Sequence, residues 1–518
     1  MAPAVFHTDV VEHLGQAGSI PVRLRHSPAA VATTQTRYRC RPGCAPFGQP
    51  FPRRVVFPIT PDQCHGGRMN PGDLTALGAA EIAARVHDGW SSAVDIARAH
   101  LARIAEHDGR IGAFQAVDRR RVLAEAQGVD SRADRFALPL AGVPVAIEDN
   151  VDVAGYPTRH GWAATSSTPA RRDDELVKRL RAAGAVVIGK TRMSEPAIWG
   201  HPELGIIRNP LDEERDPGGS GGAAAVAAGM AALALGTDGG GSIRIPAAYC
   251  GLVGLKPGAG VVPLPGRADE HRCGLSEAGP IARTAYDAAV MLGVLRGEPV
   301  ELDGPGPVRI ALSLRVPSPI GRLHVDHRAA AVGAAARLRA GPGGATVTLA
   351  DPPYPRGLAT QWMRRWHAGV SRDVAVLGLD LPDVEGRTAA VARRGRRTRP
   401  GPRAAGEWRD RMVTWLDEGG HDLLVTPAVA GPAPLAEAHA GHGYLRTLLA
   451  QIRQVPFTQA WNLAGLPAVV APVLVGGRPV GVQLIGRPGS EAALLAAAAR
   501  LERRVVPMAG AATPRSYA

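Results

Sequence analysis

A chain of 518 residues with 45% hydrophobic and 21% charged residues is too long for one ordinary core and too apolar for bulk disorder. It reads as one unusually large α/β domain or as two domains. The formal net charge of +13 raises nucleic acid or an anionic membrane as partners. However, the only lysines are Lys178, Lys190 and Lys256, and the densest basic run (Arg393, Arg394, Arg396, Arg397, Arg399, Arg403) is interleaved with Gly, Thr and Pro. Single-strand binding would interleave aromatics instead, so the run reads as solvated surface, with neither nucleic acid nor membrane as partner.

Residues 1–68 carry eight arginines against three acidic groups and no sustained apolar periodicity, and read as an unstructured extension or as no part of the native protein. Cys40, Cys44, Cys64 and His65 lie there; their spacing matches no closed zinc finger, so no metal is expected. With Cys250 and Cys273 they make five cysteines, an odd number in a long chain, which points to a reducing compartment with the cytoplasm as default. No apolar run of about 18 residues occurs, and the start lacks the basic and apolar regions of a secretory signal.

From Met69 the character changes. Leu74 to Val86 reads as a helix closed by Gly89. Ser91 or Ser92 caps a second one through about Glu106, with Val94, Ile96, Ala97 and Leu101 inward. Beyond Ala137 strand-like runs (LAGVPVAI, AVVIGK, LLVTP, AVVAPVLV, VGVQLIG) alternate with helical ones (DDELVKRLRAAG, AAAVAAGMAALA, SEAALLAAAARLERR). This predicts a sheet between helical layers. Residues 315–415, rich in Arg, Gly and Pro, resist assignment and read as a lid or insertion near the substrate.

The chemistry concentrates in Gly236-Thr-Asp-Gly-Gly-Gly-Ser242-Ile-Arg-Ile-Pro246. Consecutive glycines let several backbone N–H groups turn one way, as an oxyanion pocket requires. Ser242 is then a nucleophile whose own N–H, with those of Gly239, Gly240 and Gly241, holds the developing charge. By itself the stretch is equally a phosphate-cradling loop or a flexible turn.

Upstream, Pro217-Gly-Gly-Ser220-Gly-Gly-Ala-Ala-Ala-Val226 leads into it, and the combination resembles the amidase signature. The resemblance extends, in order, over Gly142-Val-Pro-Val-Ala-Ile-Glu-Asp-Asn150, Val187-Ile-Gly-Lys-Thr191, Gly251-Leu-Val-Gly-Leu-Lys-Pro257, Leu423-Leu-Val-Thr-Pro427, Ala460-Trp-Asn-Leu-Ala-Gly465 and Pro479-Val-Gly-Val-Gln-Leu-Ile-Gly486, about residues 70 to 505. It implies an amidase signature fold: a single large α/β domain, 69–508, with a central mixed β-sheet covered by helices and a tail at 509–518. It further implies a Ser-cisSer-Lys hydrolase of carboxamides that needs no cofactor, takes a small-molecule amide and passes through an acyl-enzyme. Ser242 falls at the nucleophile and Ser220 at the bridging serine, which the family holds in a cis peptide. Asp238 and Arg244 flank the nucleophile, with a bracing ion pair as their simplest role. A homodimer is left open.

Two departures accompany the resemblance. Glu148 stands where the family keeps its catalytic lysine, and Ser220 precedes Ser242 by 22 positions, two fewer than the family spacing; Trp199 to Arg208 is also short. A desolvated lysine accepts the serine proton near neutrality, whereas an ordinary carboxylate with a pKa of about 4.3 is a poorer base unless burial raises it. Three readings follow: an amidase with Glu148 as adapted base, a catalytically impaired homologue, and one subunit of an amidotransferase that acts on charged tRNA, for which no motif is specific.

Overall fold

The computed structural model describes residues 71–194, 205–264, 272–302, 308–341, 344–401 and 403–502, all within the unit that begins at Pro61. The 1–68 extension with its cysteine and histidine candidates, the 509–518 tail and residues 199–204 of the short Trp199–Arg208 stretch lie outside the described residues.

Among the described residues, eleven strands form one mixed sheet: β1 (Phe114–Ala116), β2 (Pro144–Glu148), β3 (Val186–Thr191), β4 (Leu233–Asp238), β5 (Val253–Lys256), β6 (Glu277–Ala282), β7 (Val308–Leu312), β8 (Ala345–Leu349), β9 (Leu423–Pro427), β10 (Ala468–Val475) and β11 (Arg478–Ile485), in the spatial order β1-β3-β2-β4-β6-β5-β10-β11-β9-β7-β8. Three neighbours set up the site. β2 (Pro144–Glu148) runs parallel to both β3 (Val186–Thr191) and β4 (Leu233–Asp238). Thr191 lies opposite Glu148, and Ile147 opposite Lys190. On the far side β4 pairs antiparallel with β6 (Glu277–Ala282), with Asp238 opposite Glu277. Glu148, Thr191 and Asp238 therefore all end parallel strands on one sheet edge, where open α/β sheets place their ligands.

The strands are apolar on both faces because both are covered. In β2, Val145 and Ile147 join one core and Ala146 the other; in β4, Leu233 and Leu235 take the first and Ala234 the second. The first core is closed by the helices Ala285–Arg296, Val325–Ala340 and Glu491–Ala499, the second by Ala93–Ile111, Gly221–Ala227 and Arg244–Cys250. Alternation puts Glu148 on the face of Ala146, which carries the helix Gly221–Ala227.

Several elements differ from the sequence expectation. The first helix is split into Pro71–Ala76 and Ala79–His87, because a Cβ on Gly78 would lie 2.8 Å from Asp287 Oδ2 and the Asp287 carboxylate instead accepts the Ala80 amide. The second runs on to Ile111. Ser92 caps it through the Asp95 amide, and Gly112, at φ 69°, ends it. The run AAAVAAGMAALA is not one helix: the helix stops at Ala227, Gly229 turns with φ 71°, and the chain enters β4. The unassigned 315–415 region holds four helices, Val325–Ala340, Leu358–Val376, Gly386–Gly395 and Arg403–Glu418. Among the described residues no helix is long and apolar enough to cross a membrane, and no group of three or more His, Cys, Asp and Glu is arranged to hold a metal.

Candidate active site

The loop after β4 presents Ser242. The Asp238 carboxylate accepts the Gly241 amide at 2.7 Å and, at 2.8 and 2.9 Å, both prongs of the Arg244 guanidinium. Arg244 also donates to Asn462 Oδ1, Gln483 Oε1 and Thr458 O. Asn462 Nδ2 in turn donates to Asp238 O and Oδ1 and to Leu275 O. Burial alone raises the Asp238 carboxyl, but the Arg244 charge and the Arg244 and Asn462 hydrogen bonds together hold it below the usual carboxylate range. Asp238 and Arg244, both fully buried, thus form a closed network under the loop, and Ser242 above it is exposed.

Gly241 has φ 128°, and a Cβ there would lie 2.5 Å from Ile245 Cδ1, so only glycine fits. Its amide is spent on Asp238. Gly241 therefore stands apart from its neighbours in the expected oxyanion set, leaving the amides of Gly239, Gly240 and Ser242, which donate to no group among the described residues.

Ser220 is stitched to the exit of β3. It bridges Met193, the Gly221 amide donates to Arg192 O at 2.9 Å, and Ser194 N donates to Gly219 O at 3.2 Å. Asp216 Oδ1 accepts the amides of Gly218 and Gly219, which take φ of 100° and 81°. A Cβ on Gly218 would lie 2.8 Å from Pro246 Cα, so the stretch before Ser220 is pressed against the helix after Ser242. Ser220 itself is buried and precedes the helix Gly221–Ala227. The cis linkage implied by the resemblance is not present: no cis peptide occurs among the described residues. Beside Ser220, a Cβ on Gly222 would lie 3.5 Å from Ser220 Oγ and 3.8 Å from Thr191 Oγ1, and that threonine hydroxyl has no partner among the described residues.

Glu148, 3% exposed, shares this face. Its Oε2 accepts the amide and the hydroxyl of Thr237 at 2.6 and 2.7 Å, and Thr237 Oγ1 accepts Asn150 Nδ2 at 2.9 Å. Burial pushes the Glu148 carboxyl up to about 7 against those stabilising bonds, with the Asp149 and Asp238 charges adding to the rise. The two buried lysines have partners of their own. Lys190, on the opposite face of β3, donates to Asp149 O at 3.1 Å and is lowered by burial to about 8; Lys256 ends β5 (Val253–Lys256) and donates to Pro257 O.

Thr237, Thr458, Asn462 and Gln483 had no role in the sequence-based expectation. Asn462 and Gln483 lie inside stretches that carry the resemblance, and their signal was a buried amide side chain in an apolar run, which must find hydrogen bonds.

The family model described as Amidase matches residues 95–307 and 394–495. AmiB2 of Mycobacterium tuberculosis, a protein named as an amidase, is 42% identical over 458 residues, 84% of this chain and 97% of its own length. A glutamyl-tRNA(Gln) amidotransferase subunit from Streptomyces coelicolor is 43% identical over 246 residues, 45% of this chain and 49% of that one. Among solved structures, 6-aminohexanoate cyclic dimer hydrolase aligns with a TM-score of 0.72 at 27% identity, covering 82% of this chain and 96% of that one. Peptide amidase from Stenotrophomonas maltophilia aligns at 0.68 and 28%, with 82% and 96% covered. The chain belongs to the amidase signature family, and its fold is the single large α/β domain of that family.

Proposed function

We propose that the protein hydrolyses the carboxamide bond of a small-molecule amide to a carboxylic acid and ammonia or an amine, through an acyl-enzyme on Ser242 with Glu148 as general base. The observation that carries this reading is the Glu148 carboxyl, buried beside β4 and poised at about 7. A base is most useful when its pKa lies near the working pH.

In this reading Ser242 Oγ attacks the carbonyl carbon while its proton passes through Ser220 to Glu148. The amides of Gly239, Gly240 and Ser242 meet the carbonyl oxygen as it becomes an oxyanion. Glu148 returns the proton to the leaving nitrogen, the C–N bond breaks, and the acyl group stays on Ser242 until water, deprotonated by the same route, releases the acid. The Asp238–Arg244 pair keeps the loop in place and takes no proton. The likeness to the amidotransferase protein covers less than half the chain, whereas the AmiB2 likeness covers 84% of it, and this favours a free amidase.

A second reading, an impaired homologue, is favoured by the same carboxylate: Glu148 Oε2 already holds two donors from Thr237. A panel of aliphatic and aromatic amides separates the two. The base reading predicts turnover that Ser242→Ala abolishes and Glu148→Gln lowers about 100-fold to 10,000-fold, the contribution of a positioned general base. Absence of turnover in the wild type, with activity gained in Glu148→Lys, establishes the impaired reading instead.

A further inference from the structure

The wall beside the nucleophile comes from the segment whose sequence shows no pattern. The helix Leu358–Val376 lays Trp362 and Trp366 on the glycine loop, their rings stacked with centroids 5.0 Å apart and planes 19° from parallel. Trp362 Nε1 donates to Gly239 O at 3.1 Å. A Cβ on Gly240 would lie 2.8 Å from Trp362 Cζ2, and one on Gly239 would lie 2.9 Å from Trp366 Cζ3. The indoles therefore touch the two residues that lead to Gly241 and Ser242, and glycine is needed at both to let them in. Farther out, the Arg272 guanidinium lies 4.9 Å over the Trp366 ring and pairs with Asp373 of the same helix at 2.8 Å.

We propose that the Trp362–Trp366 stack is a specificity wall that selects neutral amides carrying an aromatic ring within a bond or two of the carboxamide. The proposal rests on the reading of Ser242 as nucleophile. Both indoles are only half-buried, and Ser242 beside them is exposed, so a substrate at Ser242 meets their surface. Trp362 is fixed by its hydrogen bond and Trp366 by its cation, so a third ring extends the stack without ordering the wall first. Arg272 is neutralised by Asp373, so the wall offers no free cation to a carboxylate-bearing substrate. An aliphatic amide of similar size keeps its chemistry at Ser242 and forfeits the stacking.

The test compares phenylacetamide with propionamide, and acetanilide with N-methylacetamide, in the full-length protein. Calorimetric binding to Ser242→Ala is read alongside kcat/KM of the wild type. In at least one pair the aryl amide is favoured on the order of tenfold in both readouts. Trp362→Ala brings that ratio to within about twofold, and Trp362→Phe, which keeps a ring, retains most of it. Binding preference without any turnover contradicts the amidase reading and supports the wall. Equal binding of aryl and alkyl amides to Ser242→Ala, or a ratio unchanged in Trp362→Ala, overturns the wall whatever the turnover. Should Trp362→Ala not fold, the wild-type ratio and Trp362→Phe decide.

Discussion

The two sides of the site are built to different standards. On the Ser242 side, Asp238 and Arg244 are fully buried and are tied to Gly241 of their own loop, to Thr458 and Asn462 of one helix and its cap, and to Gln483 of a strand. On the Glu148 side, the carboxylate is held through Thr237, and Thr191 Oγ1 has no partner among the described residues. Removing a donor from the first side leaves a buried charge uncompensated, whereas the second holds a group able to change its protonation. The Ser242 loop is thus fixed by many partners, and in the proposed mechanism the proton is carried by a carboxylate held through one residue, Thr237.

The sharpest way to break that contrast is Arg244→Ala. It strands the Asp238 carboxylate in the core and is expected to cost about 3–5 kcal/mol, the penalty of halving a buried ion pair. Chemical denaturation measures it, and a loss below about 1 kcal/mol would mean that the network does not brace the loop.

Glu148→Gln acts in the opposite sense. The folded pKa of Glu148 is raised from 4.5 to about 7, so the native state binds the proton more tightly than the unfolded chain does. The stability tied to that proton is complete below about 4.5 and is lost as pH rises toward 7. Glutamine keeps an acceptor for Thr237 and carries no charge. At pH 8 the variant should therefore be more stable than the wild type by up to about 3 kcal/mol, the free-energy equivalent of that shift, and the gap should close near pH 4. A difference that does not vary with pH would show that the Glu148 carboxyl is not raised by folding.

The smallest expected effect belongs to Thr237→Val, which removes the hydroxyl donor to Glu148 and keeps the amide. Stability should fall by about 1–2 kcal/mol. Since that hydroxyl favours the charged carboxylate, the midpoint of any Glu148-dependent rate should move to higher pH. An unmoved or lowered midpoint would mean that Thr237 does not tune the carboxyl.

The same contrast governs what could be read from the sequence. The glycine-serine stretches were legible because their function lies in the backbone: Gly218, Gly219 and Gly241 sit at positive φ, and only glycine does so freely. Five strands, Pro144–Glu148, Val186–Thr191, Leu423–Pro427, Ala468–Val475 and Arg478–Ile485, were legible as apolar runs, whereas Leu233–Asp238 was not, since its start continues an alanine-rich run. The 315–415 region was not, because its helices bury small or charged side chains: Val325–Ala340 packs through Ala330, Ala331, Ala334 and Ala335, and the next two bury Arg365 and Arg387. Alanine and arginine give little amphipathic contrast, so Trp362 and Trp366 went unplaced. Glu148 was legible as a departure, but its poise near neutrality was not, since burial and the Thr237 contact depend on which strands lie side by side.

The role of Glu148 is tested most directly by following fluorophosphonate labelling of Ser242 against pH in the wild type, Glu148→Gln and Glu148→Lys. With Glu148 as the base, the wild-type rate rises through about pH 7 and the Glu148→Gln rate is low and flat across the same range. Identical profiles for wild type and Glu148→Gln, with faster labelling only in Glu148→Lys, would contradict the assignment of Glu148 as the base.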